Sequence, residues 1–326
     1  MNLISKQEVK MEINGNKFDL TDLTDLTEIL NLPTEKAQNN IPSQEKQEEA
    51  LFNAIAESIE NSKKVFSEIV PPDKLEDFVQ KLHSSNRHKF ELRSKLVSYG
   101  DLITDWNYGY TRESVKFYAP LNELNFRHYF ARTNFPNKYF ERTRWNFKPS
   151  NLTETEQKYF SEILQTVKNR IMENFFIDDS KAVGMFLYGD LGVGKSSLLG
   201  LIAKILIKYL DVNIYYCTSS EFLQAYTDQD HCKRERIKEA QILFLDAFGQ
   251  ETYTEGRVGA MLELFHHRYS NSNRLITFIA SNFDPKVWSD STVVDSQSSM
   301  RRQIADYCND SSFVKKLHFK GRSKRY

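Results

Sequence analysis

One stretch of this 326-residue chain has the residue types and spacing of a phosphate-binding loop. Residues 183–197 contain Gly-x4-Gly-Lys-Ser between two apolar stretches. Glycines let backbone N–H groups turn towards an anion, and the N-terminus of the following helix adds partial positive charge. We predict that Lys195 reaches the β- and γ-phosphates of ATP and that the Ser196 hydroxyl binds Mg²⁺. The predicted nucleotide-binding residues are Gly189, Asp190, Leu191, Gly192, Val193, Gly194, Lys195, Ser196 and Ser197.

A carboxylate follows a second apolar run. Residues 241–246 read Gln-Ile-Leu-Phe-Leu-Asp, which predicts a buried strand with Asp246 at its carboxyl end. Phosphate chemistry occurs at that edge of a parallel sheet, and a separation of about 50 residues from the lysine fits a βαβ unit and its continuation. We therefore expect Asp246 to hold the water shell of the magnesium ion.

Three further polar residues are candidates for the same site. Asn282 follows the apolar run 275–280, so it either points at the γ-phosphate and helps to place a water or forms a turn before Asp284 and a proline. Arg301 and Arg302 lie on a predicted helix. Either arginine could stabilise charge on the γ-phosphate of a neighbouring subunit, or both could be surface residues.

The segments around these residues alternate between strands and helices. The predicted strands are 183–188, 213–217, 242–246, 275–280 and 313–319; the predicted helices are 153–174, 195–210, 219–226, 255–269 and 291–308. This alternation indicates an α/β fold of three layers with a parallel five-stranded sheet. One strand separates the two motif strands along the chain, which is typical of P-loop NTPases with an extra strand inserted between them in the sheet. We predict 275–280 as that strand.

The region before this core is expected to be a small, mainly helical domain. Apolar residues spaced by three and four between 47 and 99, interrupted by Pro71 and Pro72, predict two amphipathic helices, and 21–30 predicts a short one. We predict domains at 1–110, 111–150 and 151–326. Aromatic and basic residues alternate in the middle segment, which indicates either stacking of single-stranded bases or, as we favour, packing at a joint between domains.

Composition excludes several classes of protein. Lys plus Arg and Asp plus Glu are both 44, so the chain has no uniformly basic face for nucleic acid, although its last twelve residues carry six cations and no acid. No apolar run approaches the ~18 residues of a membrane span, and the first residues lack a signal-peptide pattern. Three scattered cysteines are too few for a disulfide framework or a zinc site. We expect a cytoplasmic protein.

Taken in order, four segments resemble the AAA+ loaders of bacterial replicative helicases, the DnaC/DnaI group, with DnaI the closer. They are residues 184–199, 245–251, 279–284 and 319–325, and the resemblance runs from about residue 134 to the C-terminus. It implies an ATPase that binds ATP and Mg²⁺, contacts single-stranded DNA, and forms oligomers or assembles on the helicase ring. It also implies that the N-terminal domain binds the hexameric helicase and helps to place it on DNA in replication initiation or restart.

The resemblance assigns roles and shows two departures. It makes Asp246 the Walker B acid, Asn282 the sensor, and Arg301 or Arg302 the arginine that acts in trans. Ala247 stands where a second acid is usual. Glu251 matches another acid of the family pattern but need not replace the missing one. Hydrolysis of ATP is therefore expected to be slow. The DnaI zinc site has no counterpart, because residues 1–150 contain no cysteine.

Two other functions stay open at this stage. A transposition helper ATPase of the IstB type shares the same core, but the acidic N-terminal region and the sequence around Asn282 favour a loader. A small-molecule P-loop kinase needs a mobile lid over its substrate, and no lid segment is recognisable. Seven residues follow Phe319. They leave no room for a helical lid, which disfavours initiator-type AAA+ proteins.

The basic C-terminus generates a prediction about DNA. If Lys324 and Arg325 contact phosphates, replacing both by alanine should weaken binding to single-stranded DNA and flatten the salt dependence of the binding constant by about 1.4 in log–log slope. Fluorescence anisotropy over a salt series measures this, with Lys36→Ala plus Lys46→Ala as the matched control. An unchanged slope would mean that the tail is simply solvated.

Overall fold

The computed structural model describes residues 10–13, 16–19, 44–84, 90–98, 114–142, 154–177, 182–250, 254–286 and 296–319. The chain divides into two compact units: Met1–His88 with Leu92–Pro120, and Lys89–Glu91 with Leu121–Tyr326. We call them the N-terminal and C-terminal units. The short helix predicted at 21–30, Glu251 and the basic residues 320–326 lie outside the described residues. No helix in the described ranges is long and apolar enough to cross a bilayer.

The N-terminal unit contains both amphipathic helices that the apolar spacing predicts, α1 (Gln44–Phe66) and α2 (Pro72–Ser84). They pack through Phe66, whose ring lies 5.0 Å from Phe78 and 6.1 Å from Tyr118. The unit also contains two antiparallel strand pairs that the sequence did not predict. These are β1 (Lys10–Ile13) with β2 (Asn16–Asp19) and, after the short β3 (Glu91–Leu92), β4 (Ser94–Ser98) with β5 (Ser114–Tyr118).

The C-terminal unit is built on a five-stranded parallel sheet. Its strands are β6 (Gly184–Gly189), β8 (Ile214–Thr218), β9 (Ile242–Phe248), β10 (Ile276–Ser281) and β11 (Val314–Phe319), with the two-residue β7 (Leu210–Asp211) between the first two. The order across the sheet is β11-β6-β10-β9-β8, and every neighbouring pair is parallel. β10 therefore lies between the two motif strands, and the predicted fold class is confirmed.

Helices cover both faces of this sheet. They are α3 (Glu123–Arg132), α4 (Asn137–Arg142), α5 (Glu154–Met172, continued by a π-helical turn Glu173–Ile177), α6 (Lys195–Tyr209), α7 (Ser219–Thr227), α8 (His231–Glu239), α9 (Glu255–Ser270) and α10 (Ser296–Asn309). Alternate strand residues face opposite layers. Leu243 and Leu245 pack with α7, α9 and α10, whereas Phe244 contacts Phe278 and Phe135 on the other face.

A buried arginine joins α8, α9 and β10. The side chain of Arg268 is 1% exposed, and its guanidinium donates to the Thr277 hydroxyl at 2.7 Å and to the carbonyls of Ile276, Lys238 and Ala240 at 2.7–2.9 Å. Burial lowers the pKa of Arg268 to about 9, which leaves it charged at neutral pH. The planar guanidinium thus donates hydrogen bonds both to the backbone carbonyls at the end of α8 and to the first carbonyl of β10.

Replacing Arg268 by methionine should lower the free energy of unfolding by about 3 kcal/mol, because several buried acceptors lose their donor. Arg274 provides the control, since its guanidinium is half-exposed and pairs with Glu239 at 3.0 Å. Arg274→Met should change stability by less than about 1 kcal/mol. Urea unfolding compares the two variants, and equal losses would contradict the structural role assigned to Arg268.

Candidate nucleotide site

The loop after β6 has a backbone that only glycine adopts readily. Gly189, Gly192 and Gly194 have φ angles of 142°, 82° and 106°. A Cβ atom at Gly189 would lie 2.0 Å from the carbonyl oxygen of Phe319 on β11, whereas one at Gly194 would meet no heavy atom within 4 Å. Gly189 is therefore required by the packing of the sheet, and Gly194 by the turn that starts α6 beside open space.

Lys195, the first residue of α6, points back into this loop. Its side chain is 7% exposed, and Nζ donates to the carbonyls of Gly189 at 2.8 Å and Asp190 at 2.7 Å. Nζ also donates to Oδ1 of Asn282 at 3.0 Å, directly after β10. The two residues that the sequence assigned to the γ-phosphate are thus in contact, and the amide of Asn282 is directed at the lysine.

Asp246 lies near the end of β9 with its carboxylate held at both oxygens. The residue is 6% exposed; Oδ2 accepts from the Tyr216 hydroxyl at 2.9 Å, and Oδ1 accepts from the backbone N–H of Ala247 at 2.8 Å. Burial and the adjacent carboxylate raise the pKa of Tyr216, so its hydroxyl stays a donor. The side chain of Asp246 is therefore fixed in orientation before any ligand binds.

The backbone next to Asp246 bulges out of the strand register. Ile279 of β10 pairs with Leu245, but Ser281 pairs with Phe248, so β9 has one extra residue here. Ala247 takes up this bulge with φ 57°, a left-handed conformation that costs a residue with a Cβ about 1–2 kcal/mol. Position 247 therefore differs from the usual second acid in its backbone conformation as well as in its side chain.

Two serines from neighbouring strand ends hold the bulge in place. The hydroxyl of Ser219 donates to the Ala247 carbonyl at 3.1 Å, and that of Ser281 donates to the Phe248 carbonyl at 2.8 Å. Sequence reasoning missed both serines and Tyr216. No motif marks them, although each lies at or near a predicted strand end, where polar side chains of adjacent strands meet.

The remaining predicted site residues divide into three groups. Ser196 and Ser197 are half-buried in the first turn of α6, while Val193 is buried and Leu191 is 51% exposed. Arg301 is half-buried and Arg302 exposed on α10, so their roles stay predictions. Glu251 lies outside the described residues.

These residues fit Mg²⁺ bound together with phosphate. A hydroxyl and a carboxylate, from Ser196 and Asp246, are oxygen ligands of the kind that Mg²⁺ prefers, and Mg²⁺ commonly uses one or two protein ligands plus substrate phosphates. In the described part of the chain no three His, Cys, Asp or Glu residues form a metal-binding cluster.

Aromatic residues of the predicted connector pack against this same core. The ring of Phe135 lies 4.4 Å from Tyr216 and 5.1 Å from Phe244, and Phe140 has the cations of Arg127 and Lys204 at 4.9 and 4.6 Å from its centroid. These rings therefore pack against other side chains of the protein, which is the alternative to stacking on single-stranded bases. The packing is within the C-terminal unit, on β8, β9 and α6, so the prediction that these rings lie at a joint between domains is wrong for them.

Comparison with known proteins gives a sequence relative and several solved structures that align with part of the chain. No protein-family model matches the chain. A 119-residue segment is 33% identical to the replicative helicase loader DnaI of Bacillus subtilis (strain 168), covering 33% of this chain and 36% of that protein. The chain thus matches about a third of that relative's length. The match confirms the resemblance that the motifs indicate.

Two solved structures align with part of this chain. A crystal structure of DnaI aligns with 58% of this chain and 96% of its own, at 19% identity and a TM-score of 0.44. A crystal structure of the DnaC helicase loader aligns with 57% of this chain and 100% of its own, at 17% identity and a TM-score of 0.40. The fold class itself rests on the strand order described above.

Two glycine variants separate packing from ligand binding in the loop. Gly189→Ala should lower the free energy of unfolding by more than 2 kcal/mol, because its Cβ would overlap the Phe319 backbone. Gly194→Ala should cost about 1–2 kcal/mol from its φ angle, yet place a methyl group in the open space before α6 and weaken nucleotide binding. Thermal unfolding and ATP titration test both; a fully stable Gly189→Ala would contradict the β6–β11 contact.

Proposed function

We propose that the C-terminal unit binds and slowly hydrolyses ATP with Mg²⁺, and that the protein uses this cycle to load a replicative helicase onto single-stranded DNA. The observation that carries the first part is the contact between Lys195 and Asn282, which follow the neighbouring strands β6 and β10. The oriented carboxylate of Asp246 lies at the same edge of the sheet, on β9. The match to a replicative helicase loader supports the second part.

The geometry suggests what each residue does with ATP. Backbone N–H groups of the loop would bind the phosphates, and Lys195 would exchange carbonyl partners for phosphate oxygens. Nδ2 of Asn282 would then donate to the γ-phosphate, and Oδ1, once released by Lys195, would accept from a water beside it. Ser196 and Asp246 would hold Mg²⁺, which neutralises phosphate charge when bound.

Slow turnover follows from the position after Asp246. Ala247 has no group to accept a proton from an attacking water, and its left-handed backbone does not present a side chain as an extended strand residue does. ATP binding, rather than rapid hydrolysis, would then be the main signal. Glu251 and an arginine from a neighbouring subunit, Arg301 or Arg302, are the candidates to complete the site.

The loader assignment predicts a specific partner. Full-length protein should co-purify with the hexameric replicative helicase of the same cell. A variant lacking residues 1–110 should not, because this region is the proposed helicase contact. The deletion removes no part of the nucleotide site. Absence of binding, or undiminished binding without residues 1–110, would contradict the assignment. Asp246→Asn serves as the matched control, since it should retain helicase binding in the absence of ATP.

Phosphate release distinguishes the loader from the two alternatives. Turnover is expected to be slow for the protein alone and to rise when single-stranded DNA and the helicase are added together. Stimulation by duplex DNA alone would favour the transposition helper, and transfer of phosphate to a metabolite would favour a kinase.

A further inference from the structure

The tyrosine that contacts Asp246 belongs to a different strand and is tightly enclosed. Thr218 of β8 lies opposite Asp246 of β9, so Tyr216, two residues earlier, projects from the same face of the sheet. Tyr216 is 4% exposed and reaches along the strand to Oδ2 of Asp246. The Tyr216 hydroxyl, which belongs to β8, thus donates to the carboxylate of Asp246, the candidate metal ligand on β9.

A short segment before α4 holds Tyr216 on three sides. The backbone N–H of Tyr216 donates to the Thr133 carbonyl at 2.7 Å, its carbonyl accepts from Nδ2 of Asn134 at 3.0 Å, and its ring lies 4.4 Å from that of Phe135. Asn134 has φ 65°, a left-handed turn that asparagine tolerates. We call residues 133–135 the clamp.

The chain just after the clamp also contacts the P-loop helix. A Cβ atom added to Gly200 of α6 would lie 2.8 Å from Cβ of Tyr139, so glycine allows α4 to approach α6 closely. Lys204, one turn further on, donates to the carbonyl of Phe140. Residues 133–140 therefore contact the helix that begins with Lys195 and the strand that carries Tyr216.

Fixing a carboxylate at both oxygens favours metal binding. Each oxygen of Asp246 has two acceptor sites, and one hydrogen bond to each leaves a site on both for the ion or its water. Hydrogen bonds that orient a ligating carboxylate commonly change metal affinity or activity by 10–100-fold when removed. Tyr216 is the side chain that supplies such a bond here.

We propose that Tyr216 is a positioning residue for the magnesium-binding carboxylate of Asp246, and that the clamp sets this position. The inference rests on the proposed binding of ATP and Mg²⁺. It links residues 133–135, which precede the P-loop by more than 50 positions, to metal affinity. A change in the clamp would alter metal affinity without touching the nucleotide.

The test is a magnesium titration of ATP binding, followed with a fluorescent mant-ATP probe. Tyr216→Phe should raise the Mg²⁺ concentration for half-maximal binding about tenfold and leave affinity in EDTA unchanged. Tyr215→Phe is the matched control, because Tyr215 lies on the opposite face of β8 against the core with α7 and α9. Equal magnesium dependence in Tyr216→Phe and wild type would overturn the inference.

A second variant keeps the test decisive if Tyr216→Phe fails to fold. Asn134→Gly removes the amide bond to the Tyr216 carbonyl, retains the left-handed turn and changes an exposed residue. It should raise the half-maximal Mg²⁺ concentration two- to threefold; no change would count against the clamp. Failure of the wild type to bind mant-ATP would instead reject the proposed nucleotide site, so the two failures are distinguishable.

Discussion

The ammonium group of Lys195 is enclosed by three oxygens, and this arrangement constrains the rest of the C-terminal unit. Two are carbonyl oxygens of the loop after β6, and the third is the amide oxygen of Asn282 after β10. A buried cation is costly unless such acceptors surround it. Asn282 can reach the lysine because β10 lies directly beside β6, with Ser281 opposite Tyr188. The inserted strand order is therefore a requirement of the site.

The same edge of the sheet contains a second constraint, the bulge that ends β9. Its extra residue lets Asp246 accept bonds at both oxygens while Ala247 adopts a left-handed conformation. Serines from β10 and from the start of α7 hold the displaced carbonyls. The acid is thus oriented by its surroundings, and the neighbouring position has neither the carboxylate nor the extended backbone that a second acid would need. Both features underlie the proposal that the site binds ATP and turns it over slowly.

Sequence could predict the strands and their end residues because central strands of a parallel sheet are buried on both faces. Residues 242–245 and 276–279 are all apolar or fully enclosed, and the polar residues that follow mark the site edge. Helix α8 was missed because Ile237 is its one buried residue, which leaves no apolar period to recognise. The contact of Tyr216 with Asp246 depends on strand register, and the φ angle of Ala247 on a bulge. Neither the strand register nor the bulge produces a recognisable pattern in the amino-acid sequence.

The central claim is that the loop after β6 and the ammonium of Lys195 form a triphosphate site. Calorimetric titration of ATP in saturating Mg²⁺ tests it, comparing wild type with Lys195→Ala and with Lys208→Ala, near the other end of the same helix. We expect Lys195→Ala to lose at least tenfold in affinity, about 1.4 kcal/mol, and Lys208→Ala to bind as wild type does. Equal affinity in all three proteins would contradict the account.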